Sequence, residues 1–284
     1  MPTIKSLDNI PFETVADTFQ EAFGSYEVQI NKEELRLMLS RRGYVPALSF
    51  GAFEKDKLVA FTLNGVGNFN GHRTAYDTGT RTLKEFQGKG LATSVFNYSI
   101  PYLKEKNITH YLLEVLQHNF AAVSVYQKIG FQVTREFNYF RQETDKIKSL
   151  LKTLPKEYSI KQTDSIKQRT FQQWHDFIPS WQNSFESIYR LSEDFLIFSA
   201  YFRERTIGYC IFEPNTGDIT QIAVDKSHRR KGIGTILLQK ALSFNKINAV
   251  KLINTEISCS SITQFAQANG FPLSGTQFEM IKEL

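Results

Sequence analysis

The sequence predicts an α/β protein built from two similar domains in tandem, and three observations predict it. The chain has 284 residues, more than one ordinary compact domain of ~100 to 200 residues holds and about right for two. Two segments share one rhythm although few letters match: YDTGTRTLKEFQGKGLATSVFNYSIPYLKEKNITHYLLEVLQHNFAAVSVYQKIGF and GDITQIAVDKSHRRKGIGTILLQKALSFNKINAVKLINTEISCSSITQFAQANGF. The spacing of these segments agrees closely, with Gly90 to Gly232 separated by 142 residues and Gly130 to Gly270 by 140.

The elements follow in order. Each half opens on a short strand, TIKSLD or YSIKQTDS, followed by helical stretches. Then come two hairpins, SFGAFEKDKLVAFTLNGVG and FLIFSAYFRERTIGYCIFEP, alternating strand pairs around the polar turns EKDK and RERT. In each repeated segment an alternating apolar run enters a glycine-containing loop. An amphipathic stretch, a second apolar run, a second amphipathic stretch and Gly-Phe follow, which reads as strand, loop, helix, strand, helix, strand. The domains are expected at 1–145 and 155–284, with a polar linker, RQETDKIKSLLKTLPKEY, near 143–156, where Pro155 ends any helix.

Composition narrows the class. Apolar residues make up 41% and charged residues 22%, with 24 Phe and 12 Tyr, enough for two cores and without a disorder signature. The net charge of +5 is dispersed: residues 1–150 hold 18 Lys or Arg against 16 Asp or Glu, and the rest 16 against 13. Nucleic-acid binding needs clustered charge, so it is not expected, whereas a mildly basic surface suits an anionic ligand. Cys210 and Cys259 have neither CxxC nor zinc spacing and cannot make a disulfide network, and no His and carboxylate spacing suits a metal. The start, MPTIKSLDNIPFETVADTF, lacks an apolar signal core, and no stretch approaches the ~18 apolar residues of a membrane span. A cytoplasmic protein with no membrane partner is expected, as monomer or homodimer.

A strand that opens through glycines directly into a helix presents unpaired backbone N–H groups and the positive end of the helix dipole, an anion cradle. The first loop is Gln87, Gly88, Lys89, Gly90, Leu91 and Ala92; the second is Arg229, Arg230, Lys231, Gly232, Ile233 and Gly234. Neither contains GxxxxGK[ST], nor GxGxxG with an acidic residue about 20 positions on, so P-loop and Rossmann readings fail on spacing. Taken alone, either loop is equally a tight strand-to-helix turn with no ligand.

Both loops match the Q/R-x-x-G-x-G/A motif of the GNAT family, the Gcn5-related N-acetyltransferases. The first copy resembles that family further in LLEVLQHNFAAVSVYQKIGF, with Asn119, Ala122 and Tyr126 ahead of Gly130. The resemblance covers nearly the whole chain as two copies. It implies two tandem GNAT folds, each a mixed, mostly antiparallel sheet flanked by helices, with splayed fourth and fifth strands. It implies acetyl-CoA as cofactor, its pyrophosphate on residues 87–92 and its pantetheine against backbone near Thr82 and Leu83. In the second copy Val224 and residues 229–234 take the same places. Lys89 is either a phosphate contact or a solvated loop lysine.

The implied reaction is attack by a neutral amine on a thioester carbonyl, which requires positioning, removal of an ammonium proton and protonation of a departing thiolate. The resemblance gives Tyr126 the last task; the competing reading is an aromatic on the inner face of an amphipathic helix, in step with Ala122, Val125 and Ile129. Asn119 resembles a cofactor-contacting asparagine and is also a common helix cap. Asp77 on the fourth strand and Glu114 on the fifth are the candidate bases, and alternation leaves the phase of each open. Surface or packing roles are expected for His72 and His118.

The second copy has Ala266 at the tyrosine position, with Phe265 beside it, and Cys259 at the asparagine position. It reads as a CoA-binding inactive domain, an active domain with another proton donor, or a scaffold shaping the first domain's acceptor site. Arg229 and Arg230 at a helix start suggest a retained anion, since positive charge there is otherwise unfavourable. The whole chain thus reads as an acetyl-CoA-dependent N-acetyltransferase moving an acetyl group to a primary amine on a small molecule or peptide. The alternative is a non-catalytic acyl-CoA-binding or sensor protein. Residues 10–45 and 64–75, where the resemblance places acceptor choice, carry no signature that names the acceptor.

Overall fold

The computed structural model describes residues 2–24, 30–148 and 154–284. The first copy runs β1 (Thr3–Ser6), α1 (Phe12–Phe23), α2 (Lys32–Arg41), β2 (Phe50–Glu54), β3 (Lys57–Phe69), β4 (His72–Thr82), α3 (Leu91–Glu105), β5 (His110–Leu116), α4 (Phe120–Lys128) and β6 (Gln132–Gln142). The second runs β7 (Tyr158–Thr163), α5 (Gln168–Gln172), α6 (Phe185–Arg190), β8 (Leu196–Phe202), β9 (Arg205–Glu213), β10 (Asp218–Val224), α7 (Ile233–Leu242), β11 (Val250–Glu256), α8 (Ser260–Ala268) and β12 (Leu273–Glu283). This is the α/β architecture of a mixed sheet flanked by helices.

Local chemistry sets these elements. Asn31 and Glu34 close a capping box on α2, each side chain accepting from the other's backbone amide, and the helix buries Leu35 and Leu39 at i, i+4 spacing. Both hairpins turn over two residues, with Lys55 (φ 56°) and Arg203 (φ 55°) left-handed at the first of them. The fourth strands share an irregularity. Pairing jumps from Leu63↔Gly79 to Asn64↔Asp77, and from Phe212↔Ile219 to Ile211↔Gln221, leaving Thr78 and Thr220 as bulged residues 142 apart.

The chain divides into two compact units, Met1–Thr134 with Phe278–Leu284, and Arg135–Gln277. These are not the ranges 1–145 and 155–284, because the closing strands of the two copies are exchanged. β6 pairs antiparallel with β11, from Gln142↔Val250 to Phe137↔Glu256, and buries Phe140 with Phe198 and Leu237. The end of β12 buries Met280 with Phe131 and Leu113, and Leu284 N donates to Thr109 O at 2.9 Å. A strand's letters say that one face is apolar but not which sheet it completes. Of the expected linker, residues 149–153 lie outside the described residues.

Within the N-terminal unit β4 and β5 pair in parallel only at Thr74↔His110, Ala75↔Tyr111 and Tyr76↔Leu112. In the C-terminal unit β10 and β11 pair only at Asp218↔Lys251. Beyond those points the strands part, which is the splay that the resemblance implies.

Candidate active site

The first loop leaves β4 at Thr82, and Leu83 is buried in the core beside Val95. Gly88 and Gly90 are left-handed, with φ 75° and 73°, and α3 starts at Gly90 with no side-chain cap. A Cβ at either glycine would meet no heavy atom within 4 Å. Backbone conformation, not crowding, therefore calls for glycine at both positions. Gln87 folds back on the end of β4, its Nε2 donating to Thr82 O at 3.0 Å. Lys89 Nζ donates to Glu85 O at 3.2 Å and lies over the Phe86 ring.

The second loop repeats this geometry. Arg230 (φ 63°) stands in Gly88's conformation, and Gly232 (φ 86°) starts α7 with no side-chain cap. Arg229 does what Gln87 does: its Nε donates to Val224 O at 2.9 Å. Its remaining nitrogens hold Asp176 at 2.7 Å and Trp174 O at 3.0 Å. The charge of Arg229 is thus matched within the protein, and the inference from sequence that it calls for a bound anion falls. Lys231 Nζ reaches the Tyr158 hydroxyl at 3.2 Å. A Cβ on Gly234 would come within 3.1 Å of the Phe265 ring, so this glycine serves helix packing.

Two of the three candidate catalytic residues meet where β4 and β5 part. The Tyr126 hydroxyl donates to Asp77 Oδ2 at 3.0 Å, and the Thr80 hydroxyl reaches the same oxygen at 2.8 Å. Gly79 N donates to Oδ1 at 3.0 Å. Burial raises the Asp77 carboxyl to about 6, against the opposing pull of those donors and of the Arg42 charge. Burial, then the Asp77 charge, lifts Tyr126 well above an ordinary tyrosine, so its hydroxyl keeps its proton. The ring also packs with Phe131, so packing and hydrogen bonding coexist. Ala122 and Ile129 share its cluster, whereas Val125, expected with them, faces outward.

Glu114 lies apart from this pair. Tyr111, Leu113 and Val115 of β5 pack on the α3 and α4 side, so alternation turns Glu114 to the other face, where it accepts from the Tyr76 hydroxyl at 3.2 Å. Asn119 caps α4, its side chain accepting from Ala122 N at 3.3 Å, while Cys259 gives α8 no side-chain cap. Ala266 is fully buried at the tyrosine position of the C-terminal unit. His72 stacks against His110, with ring centroids 3.9 Å apart, and His118 is exposed.

The sequence pattern of the Acetyltransferase (GNAT) family matches residues 12–131 and 160–256. The chain belongs to the GNAT acetyltransferase family. It is an acyltransferase of that type, and the tandem GNAT arrangement extends over its whole length. It is 27% identical over 108 residues to N-alpha-acetyltransferase 30 of Schizosaccharomyces pombe, a match covering 37% of this chain and 72% of that protein. It is 30% identical over 91 residues to the uncharacterized N-acetyltransferase YobR of Bacillus subtilis, covering 32% of this chain and 35% of that protein. A tandem GNAT protein from the clavulanic acid biosynthesis pathway has the same fold over 100% of this chain and 98% of its own, with a TM-score of 0.74 at 13% identity. A GCN5-related N-acetyltransferase from Sphaerobacter thermophilus covers 99% of this chain and 95% of its own, with a TM-score of 0.70 at 14% identity. Among the described residues no helix is long and apolar enough to cross a membrane.

Sequence reasoning missed Thr80, Arg42 and Tyr76. Asp77 and Thr80 are three apart and would point to opposite faces of a regular strand. The Thr78 bulge between them restores a common face, and Arg42 Nη1 donates to Thr78 O at 3.0 Å. No letter marks a bulge at a threonine. Tyr76 was visible only as Asp77's neighbour.

Proposed function

We propose that the N-terminal unit is an acetyl-CoA-dependent N-acetyltransferase acting on a primary amine, with Tyr126 as the proton donor to the departing thiolate. The carrying observation is the Tyr126 hydroxyl fixed on Asp77 at 3.0 Å, at the parting of β4 and β5. The uncapped start of α3 behind two left-handed glycines suits a diphosphate, and the edge of β4 beyond Tyr76, where pairing with β5 ends, suits pantetheine amides. Residues 87–92, with Thr82 and Leu83, are the ones that would hold acetyl-CoA, which supplies the acetyl group as a thioester.

The two carboxylates divide the work by face. Asp77, anionic at neutral pH, accepts from the Tyr126 Oη–H and holds it in place; the departing thiolate takes over as acceptor and receives that proton, and the tyrosinate recovers one from water. Glu114 faces the side on which α1 and α2 pack and takes the ammonium proton there, directly or through one water. For the C-terminal unit the reading is acyl-CoA binding without transfer: its loop is retained and Ala266 has no hydroxyl.

The test is acetyl-CoA consumption over a panel of small amines and peptides; the likeness to an N-alpha-acetyltransferase puts peptide α-amines among them. Wild type is expected to acetylate at least one class, and Tyr126→Phe to lower kcat more than it raises KM. Acetyl-CoA binding with no acetylated product from any amine would favour the sensor reading. Unchanged kcat in Tyr126→Phe would reduce that residue to packing.

A further inference from the structure

The bulge at Thr78 is an extra residue that the ladder leaves unpaired. Thr78 is 5% exposed and stands between the pairs Leu63↔Gly79 and Asn64↔Asp77. A buried carbonyl without a partner is costly, so such a bulge needs a donor from outside the ladder. Arg42 supplies it, Nη1 donating to Thr78 O at 3.0 Å. A guanidinium donor makes this a charge-assisted bond, stronger than one between neutral groups.

That donor comes from the face of the sheet opposite Tyr126. Leu35 and Leu39 of α2 pack with Phe61 and Leu63 of β3. The alternate residues Thr62 and Asn64 bond Thr80 and Tyr111, on the side where Tyr126 packs. Arg42 is the C-cap of α2, its amide donating to Met38 O at 3.1 Å. This helix end lies directly against β3: Val66 N donates to Gly43 O at 2.9 Å, and a Cβ on Gly65 would come within 2.0 Å of Arg42 O. Glycine at 65 is therefore a matter of space. Gly65 pairs with Tyr76, one residue before Asp77, so the end of α2 and the bulge are fixed to the same stretch of β3.

What Arg42 holds decides where Asp77 points. With the bulge, Asp77 and Thr80 share a face and meet the Tyr126 hydroxyl; in a regular strand alternation would turn one of them away. Gly79 N, next to the bulge, closes on Asp77 Oδ1 at 3.0 Å. Charge acts in the same sense. Tyr126 from α4, Tyr111 from β5 and Tyr76 from β4 also face Asp77 and keep their protons at neutral pH, while Glu114 accepts from Tyr76. Arg42 brings positive charge, which favours the ionised Asp77 carboxyl.

We propose that Arg42 is a positioning residue for the Asp77 and Tyr126 pair, fixing the Thr78 bulge from the face on which α2 packs and so tying the geometry of that pair to the end of α2. Arg42 acts through the Thr78 carbonyl and moves no proton itself. The proposal rests on the reading of Asp77 and Tyr126 as the working pair of the transfer, and a titration rather than turnover reads it out.

The experiment is carboxyl ¹³C NMR of the aspartate-labelled full chain, giving the Asp77 midpoint in wild type, Arg42→Met and Arg42→Lys, each with and without Tyr126→Phe. Arg42→Met keeps the apolar stem and removes donor and charge, and is expected to raise the midpoint by about half a pH unit or more. In that background Tyr126→Phe is expected to add a smaller rise than it gives in wild type, because a released bulge no longer presents the carboxyl to the hydroxyl. Arg42→Lys restores a charge and a donor and is expected to bring both readings back toward wild type. If Arg42→Met does not fold, the neutral Arg42→Gln is expected to show the same rise. An unmoved midpoint in the folded neutral variant, or an equal Tyr126→Phe shift in both backgrounds, overturns the proposal. Coupled shifts in a protein that acetylates no amine would uphold the tie and fault the transfer reading alone.

Discussion

Removing the Tyr126 hydroxyl should move the titration of Asp77. Three donors meet that carboxylate: Tyr126 at 3.0 Å and Thr80 at 2.8 Å on Oδ2, and Gly79 N at 3.0 Å on Oδ1. Burial alone would place its pKa higher still; the donors and Arg42 hold it at about 6. A hydrogen bond to a charged group contributes about 1.5 to 3 kcal/mol, and 1.36 kcal/mol corresponds to one pH unit. Tyr126→Phe should therefore raise the Asp77 midpoint by about one to two pH units, to about 7 or above. The assay is carboxyl ¹³C NMR of aspartate-labelled protein titrated from pH 4 to 9, with Asp77→Asn to assign the resonance. An Asp77 midpoint below 5 in wild type would refute the burial argument. A midpoint unmoved in Tyr126→Phe would refute the hydrogen bond.

Three further outcomes follow from the same geometry. Asp77 titrates at 3.8 when unburied and at about 6 in the fold, so its contribution is most favourable below pH 4 and is lost as pH rises through 6, about 3 kcal/mol in all. Asp77→Asn should therefore gain stability relative to wild type at pH 8 and not at pH 4 in urea unfolding; a constant difference would contradict this. Arg229→Ala breaks the tie to Val224 O, Asp176 and Trp174 O, and should cost about 2 kcal/mol, or roughly 5 °C in the C-terminal transition; calorimetry showing no change would make the tie dispensable. Lys89→Ala should weaken acetyl-CoA less than about tenfold, with the loss shrinking as salt rises; a larger, salt-independent loss would give Lys89 a positioning role.

Much of this molecule was legible because its signals are local. The glycine spacing of the two loops, the hairpin turns and the tyrosine ahead of Gly130 each depend on residues adjacent in sequence, and the 142-residue offset recurs in the bulges at Thr78 and Thr220. What escaped depends on partners far away. The exchange of β6 and β12 turns on which sheet edge a strand meets, and both strands carry similar apolar faces. Arg229 looked like an anion ligand because it stands at a helix start, where positive charge is otherwise unfavourable. Its partner Asp176 is 53 residues back, in a region where α5 and α6 are too short for periodicity to mark. The division of Asp77 and Glu114 between faces required the phase of two separate strands, fixed for Glu114 by the packing of Tyr111, Leu113 and Val115.

Backbone amides at the start of α3 are expected to hold the diphosphate of acetyl-CoA, and calorimetric titration of acetyl-CoA into wild type, Gly90→Ala and Gly90→Glu reads that contact. Gly90→Ala has room for its Cβ and bears only the strain of φ 73°, about 1 kcal/mol, so it should keep most of the affinity. Gly90→Glu sets bulk and negative charge over the same amides and should weaken the N-terminal site at least about tenfold. Equal binding by Gly90→Glu and wild type would remove this loop from the cofactor site.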